Sequence, residues 1–65
     1  MQISVNGQTE QVEVQSLEDY LTTWRLLGRR IAVEHNGQIV PKSQFSNVML
    51  EHGDVLEIVQ AIGGG

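Results

Sequence analysis

The clearest chemical potential in this 65-residue chain lies in its last three residues, Gly63, Gly64 and Gly65. Three glycines leave the backbone bare up to a terminal carboxylate. Such a backbone enters a narrow channel and approaches the groups of another protein closely, because no Cβ obstructs it. Five extended residues, Ala61 to Gly65, span at most ~17 Å at roughly 3.4 Å each. That is long enough to enter a channel and too short to work at a distance, so the folded body is expected to sit at the channel mouth. The outer face of the last strand is then the docking surface, with Val59, Ala61 and Ile62 as candidate apolar contacts. The plainer alternative is an idle, frayed end, with Ala61 and Ile62 covering the sheet's own edge.

Elsewhere little could act on a substrate. His35 and His52 are the only histidines, and there is no cysteine. A metal site needs three or four converging ligands, and no HxxxH spacing joins these two, so both read as surface residues in or beside turns. Asp54 reads as a turn-stabilising residue, not an acid or base. Tyr20 and Trp24, four residues apart, read as one packed helix face and not as a base-stacking platform. No Ser, His and Asp set for nucleophilic catalysis is present, and the glycine tail lacks the following helix of a P-loop. The expectation is a chain that is acted upon, with no catalytic residue, metal or bound cofactor of its own.

The elements that must carry the tail follow from the residue pattern. Ile3 and Val5 share one face of a first strand, and Asn6-Gly7 is a hairpin signal because both positions tolerate positive φ. Thr9 to Val14 alternates again, which predicts a second strand with Val12 and Val14 inward. Ser16 is a helix N-cap, with Glu18 and Asp19 in the positive first turn. Leu17, Tyr20, Leu21, Trp24 and Leu27 then recur at helical spacing, and Gly28 is placed to end the helix. Ile31 to His35 reads as a third strand, Asn36-Gly37 as a second hairpin turn, and Gln38 to Val40 as a short strand stopped by Pro41. Lys42 to Asn47 reads as a loop or 3₁₀ turn around Phe45, and Val48 to Leu50 as a small strand. Val55 to Gln60 is the last strand. Leu56 and Ile58 face inward, since that phase leaves Glu57 in water, and Val59 falls on the outer face.

Composition sets the bounds. A chain of this length makes one domain and buries only about 60% of the surface its unfolded form exposes. A single thin core leaves little room for an internal cleft. Four Lys and Arg against eight Asp and Glu give a net charge of −4, against the basic patch a nucleic-acid binder shows. Arg25, Arg29 and Arg30 cluster near the predicted helix end, where they complement its dipole, and the acidic balance suits a partner with a basic face. No apolar run reaches the ~20 residues that span a bilayer, and no signal stretch follows Met1. With no cysteine, a cytoplasmic, soluble and monomeric protein is expected.

A hairpin, a helix, a strand, a second hairpin and a last strand fit an α+β body in two layers, with a mixed sheet of four to five strands and one helix across it. The last strand lies parallel beside the first after the crossover. This is the β-grasp, or ubiquitin-like, fold, expected over residues 1–62 with a flexible tail at 63–65. A β-grasp body ending Val59-Gln60-Ala61-Ile62-Gly63-Gly64-Gly65, with Val33 to Val40 reading Val-Glu-His-Asn-Gly-Gln-Ile-Val before Pro41 and Gly53-Asp54 ahead of the last strand, resembles the ThiS family. These are the sulfur carriers of thiamine biosynthesis. The resemblance implies a cycle. A ThiF-type adenylyltransferase uses ATP to join AMP to the Gly65 carboxylate, with Gly64 and Gly63 recognised beside it. A persulfide, loaded ultimately by a cysteine desulfurase, displaces AMP and leaves a thiocarboxylate, and a ThiG-type thiazole synthase takes the sulfur. A MoaD-like carrier for molybdopterin, a protein-conjugating modifier and a non-catalytic β-grasp interaction module are the alternatives.

Overall fold

A computed structural model describes residues 1–60 of the chain. Strand β1 (Gln2–Val5) and strand β2 (Gln8–Gln11) form an antiparallel hairpin, followed by helix α1 (Leu17–Thr23). Strands β3 (Ile31–His35) and β4 (Gln38–Val40) form a second hairpin. A 3₁₀ segment (Lys42–Asn47) leads to strand β5 (Val55–Gln60). The sheet order is β2-β1-β5-β3-β4. β5 lies centrally, parallel to β1 and antiparallel to β3. This is the mixed five-stranded sheet of the expected β-grasp fold.

Both Asn-Gly turns form as the sequence predicts. Asn6 and Gly7 have φ of 50° and 82°, and Asn36 and Gly37 have 51° and 87°. Positive φ at both central residues makes these turns match the right-handed twist of the flanking strands.

The second strand is shorter than its alternation predicts. β2 stops at Gln11, opposite Gln2 at the start of β1. The Met1 ammonium donates to the Val12 carbonyl, and the Val12 N–H donates to the Met1 carbonyl, both at 2.8 Å. Beyond that point Val14 is 74% exposed, so its expected inward position is wrong. Val48 to Leu50 likewise makes one antiparallel bridge, Ser16 with Met49, and no strand of the sheet.

The helix begins as expected, with the Ser16 hydroxyl accepting from the Asp19 N–H at 3.0 Å. It ends four residues early. Thr22 and Thr23 donate their hydroxyls back to the Glu18 and Asp19 carbonyls, a bonding mode that weakens and bends a helix. Arg25, not Gly28, takes the left-handed position at the end, with φ 58°. The Leu26 N–H then reaches the Leu21 carbonyl at 2.8 Å and the Arg25 N–H the Thr22 carbonyl at 3.0 Å, the paired bonds of a Schellman cap. That turn brings Leu26, and not Leu27, against the core. Trp24 and Leu27 are left 57% and 42% exposed, which corrects the apolar stripe read from the sequence. The three arginines accordingly lie beyond the helix, in the loop before β3.

The core is Ile3, Leu17, Tyr20, Leu21, Val33, Phe45, Leu50 and Leu56. Leu17 and Leu21 from the helix meet Ile3, Val33 and Leu56 from three adjacent strands. At roughly 25 cal/mol per Å², each fully buried side chain of this size contributes about 1.5–3 kcal/mol. The central strands β1, β5 and β3 are thus fixed to the helix by their inward residues.

Candidate functional site

β5 is the strand from which the tail departs, and the structure holds it along its length. On one side it pairs with the whole of β3, from His35 opposite Leu56 to Ile31 opposite Gln60. On the other side it pairs with β1 only at Ser4 and Val5, because the chain then turns away at Asn6. The Asn6 N–H still donates to the Leu56 carbonyl at 2.9 Å. The Asn6 side chain carries the ladder one step further. Its Oδ1 accepts from the Ile58 N–H at 2.7 Å, and its Nδ2 donates to the Ile58 carbonyl at 3.1 Å. A primary amide offers the same donor and acceptor as a peptide unit, so the side chain stands in for the missing strand.

Asn36 does the equivalent at the start of β5. Its Oδ1 accepts from the Val55 N–H at 2.9 Å, and its own N–H donates to the Val55 carbonyl at 2.8 Å. The two turns therefore grip the tail-bearing strand at both ends. Reading from the sequence missed this role. The available signal was the choice of Asn, with an amide side chain, over Gly at the first position of each turn.

Asp54 anchors the approach to β5. It is 7% exposed. Its Oδ2 accepts from the Glu51 N–H at 2.8 Å and lies 2.8 Å from His35 Nε2, while Asn36 Nδ2 donates to Oδ1 at 3.1 Å. Burial alone would raise its pKa. The bonds from His35, the Glu51 N–H and Asn36, with the charge of His35, outweigh burial and hold it below the ordinary carboxylate value. The turn-stabilising role expected of Asp54 is borne out. His35, expected at the surface, is instead half-buried and paired to this carboxylate. His52 is exposed, and its Nδ1 accepts from the Gln2 N–H at 3.1 Å. Among the described residues no three His, Asp or Glu side chains converge as a metal would require, and no helix is long and apolar enough to cross a membrane.

The outer face of the sheet carries Val59, 62% exposed, directly opposite Ala32. Beside them Glu57 faces Glu34, and Glu34 faces Ile39, which is 66% exposed. Two carboxylates directly opposite one another repel and lower stability, so this face is not optimised for the isolated fold. Val59 is placed where the sequence predicts. Ala61, Ile62, Gly63, Gly64 and Gly65 lie outside the described residues.

On the helix side, the end of β5 borders a groove of about 360 Å³ whose walls include Asn6, Trp24, Leu26, Ile58 and Gln60. Tyr20 backs it, donating its hydroxyl to Glu10 Oε1 at 2.7 Å. Tyr20 itself is brought into the core with a pKa pushed upward, first by burial and then by the bond to Glu10 and that carboxylate's charge. The groove sets the loop after the helix beside the point where the tail leaves.

Comparison with known proteins adds the lineage. The family model described as ThiS family matches residues 3–65. This chain belongs to the ThiS family. It is 36% identical over 50 residues to the sulfur carrier protein ThiS of Bacillus subtilis, covering 77% of this chain and 76% of that one. It is 41% identical over 71 residues to a thiazole synthase of Paramagnetospirillum magneticum, and 33% identical over 66 residues to one of Magnetococcus marinus. Each of these alignments takes in all of this chain and 20% of the relative, so the chain spans a fifth of the length of the thiazole synthases it matches. Among solved structures, the thiamine biosynthesis protein ThiS of Geobacter metallireducens superposes with a TM-score of 0.85 at 26% identity, over 100% of both chains. The family and fold read from the residues are thereby shown.

Proposed function

We propose that this chain is a cytoplasmic sulfur carrier of thiamine biosynthesis, a protein co-substrate and not a catalyst. The observation that carries the reading is the extent of the family match, which runs through residue 65 and so includes the glycine tail. In the proposed cycle the Gly65 carboxylate attacks the α-phosphate of ATP in a ThiF-type adenylyltransferase, releasing pyrophosphate and forming the acyl adenylate. The terminal sulfur of a persulfide attacks the carbonyl and expels AMP. A partner thiol then attacks the other sulfur of the resulting acyl disulfide, which forms a new disulfide with that sulfur and releases the thiocarboxylate on Gly65. Gly64 and Gly63 keep the approach free of side chains. The adenylate must form away from water, so the tail enters a channel in the partner while the body stays at its mouth.

Thiazole synthase is the proposed acceptor. Its support is that two proteins of that name contain a segment similar to the whole of this chain. A carrier segment held within the same polypeptide as its acceptor gains effective concentration. Separate chains must instead recognise one another through a surface. The outer face around Val59 is the proposed docking surface, with Ala61 and Ile62 continuing it.

The test is an intact-mass measurement after incubation with ATP, an adenylyltransferase from the same organism and a sulfur source. Replacement of one C-terminal oxygen by sulfur is expected, with its loss on deletion of Gly65. A Gly65 deletion that still accepts AMP at the normal rate would overturn the reading. Val59→Asp and Ile62→Asp are expected to slow adenylation without unfolding the domain. Sulfur delivery to a molybdopterin-type acceptor and not to thiazole synthase would reassign the pathway.

A further inference from the structure

The chain is acidic overall, yet the pole from which its tail leaves is basic. The topology shows which segments meet there. β5 runs parallel to β1 and antiparallel to β3, so three features meet at the end of β5. These are the Asn6-Gly7 turn, the loop after the helix, and the start of β3, where Ile31 pairs with Gln60. The Ile31 N–H donates to the Arg29 carbonyl at 2.9 Å, and Trp24 and Leu26 share a groove with Gln60. Arg25, Arg29 and Arg30 all belong to this loop, and all three are exposed. They are three of the four Lys and Arg in the chain.

No acid lies between Asp19 and Glu34 in the sequence. The one ion pair among the described residues is His35 with Asp54, at the far pole. Arg29 spends its Nε on the Arg25 carbonyl at 3.0 Å, which ties the two ends of the loop together, and the residue is exposed. The remaining guanidinium donors have no carboxylate within 4 Å among the described residues. Glu10 also lines the groove that Gln60 borders, where its carboxylate is engaged by the Tyr20 hydroxyl, while Glu51 and Asp54 sit before β5, and Glu18 and Asp19 at the start of the helix. Three exposed arginines against this one engaged carboxylate concentrate positive charge around the end of β5.

We infer that Arg29 and Arg30, with Arg25 behind them, form a basic collar that recognises an acidic rim at the mouth of the channel the tail enters. The inference rests on the carrier reading above and adds the chemistry of the partner's surface to it. Geometry requires the contact. A tail with a reach of at most ~17 Å brings its own root to the mouth, so whatever surrounds the root meets whatever surrounds the channel. Exposed charges act over about 8–10 Å at moderate salt, which covers such a rim. Opposite charge there speeds association and orients the body so that the tail points inward. A nucleic acid is disfavoured as the occupant because the rest of the chain, at net −4, repels a polyanion.

The test compares two variants of equal net charge. Arg29→Gln/Arg30→Gln removes two positive charges at the collar. Gln11→Glu/Gln38→Glu adds two negative charges at exposed positions toward the far pole. Binding to the adenylyltransferase from the same organism is measured by stopped flow at low and high salt, together with KM and kcat for adenylation. At about 0.02 M salt the collar variant is expected to associate about 10-fold more slowly, with KM raised and kcat unchanged. The gap should close toward wild type at about 0.5 M salt. The far-pole variant should stay within about twofold of wild type, since surface charges elsewhere act weakly.

Equal defects in both variants would show that only net charge matters and would overturn the collar. So would an unchanged collar variant, or a defect that persists at high salt. Salt-sensitive binding of a single-stranded oligonucleotide that the collar variant loses, with partner affinity unchanged, would overturn it in favour of a nucleic-acid surface. A wild-type chain that binds the enzyme with no transfer of AMP overturns the carrier reading alone. One that does not bind at all overturns both.

Discussion

The Asn6 side chain pairs with the backbone of Ile58 as a strand would, at 2.7 and 3.1 Å. Asn6 also holds the turn at a φ of 50°, so its two tasks can be separated. Asn6→Gly keeps the backbone freedom and loses the side-chain bonds. It is expected to cost about 1–2 kcal/mol, the net worth of one or two hydrogen bonds, and to speed hydrogen exchange at the Ile58 amide. Asn6→Ala should cost about 1–2 kcal/mol more, from the left-handed strain. Urea unfolding and amide exchange by NMR check this; native-like protection at Ile58 in Asn6→Gly would falsify the latch.

Asp54 predicts an acid limb to the stability curve. Its folded pKa lies below the unfolded value of 3.8. A depressed carboxylate contributes stability that is present above the unfolded pKa and is lost as pH falls through the folded one. The wild type should therefore weaken progressively below about pH 4. Asp54→Asn should be less stable at pH 7 and show a flatter decline from pH 5 to pH 2.5. Parallel curves for the two proteins would assign the acid limb to other groups.

Tyr20 predicts the opposite limb. Its pKa is raised above the usual 10.0 by burial and by Glu10. Stability from a raised group is present below the unfolded pKa and is lost as pH rises through the folded one. The single tyrosine of the folded chain should resist ionisation at about pH 10–11, where an exposed phenol titrates. Ultraviolet absorbance of the phenolate measures this. Tyr20→Phe should remove the loss of stability at high pH, at a cost of about 1–2 kcal/mol near neutrality.

The facing pair Glu34 and Glu57 predicts a gain on substitution. Glu57→Lys turns a cross-strand repulsion into an attraction and should stabilise the fold by about 0.2–1 kcal/mol. The same change should slow adenylation if the outer face docks on the partner. Thermal unfolding and adenylation rate read the two effects separately, and a destabilised Glu57→Lys would contradict the register argument.

Burial separates two aliphatic residues that the sequence places alike. Leu21→Ala, at a position of 0% exposure, should cost about 2–5 kcal/mol, a large share of the stability of a domain this small. Val14→Ser, at 74% exposure, should change stability by less than about 0.5 kcal/mol. Denaturant midpoints decide it, and a large effect at Val14 would restore the longer second strand.

Several features were legible in the residues because their causes are local. Asn-Gly sets a turn through its own φ preferences, Ser16 caps a helix through a bond three residues away, and alternation in Val55 to Gln60 fixes which side of β5 is buried. Where the pattern misled, distant partners had decided the outcome. Val14 alternates correctly but lies beyond the β1–β2 pairing, which ends with Gln2 opposite Gln11. Leu27 has the helical spacing, yet the Arg25 turn delivers Leu26 to the core instead. His35 looked like a surface residue because nothing near it in sequence reveals Asp54, nineteen positions on.

By itself, then, the sequence determined the two hairpins, the start of the helix and the inward face of the last strand, since each depends on a residue's own geometry or on its near neighbours. Tertiary structure alone decided what surrounds the end of that strand. Parallel pairing of β1 with β5 brings the Asn6 amide onto Ile58, and antiparallel pairing of Ile31 with Gln60 carries three arginines to the tail's exit. Both are contacts across the sheet, between residues whose distance along the chain gives no periodic signal, so only the closing of the fold could set them.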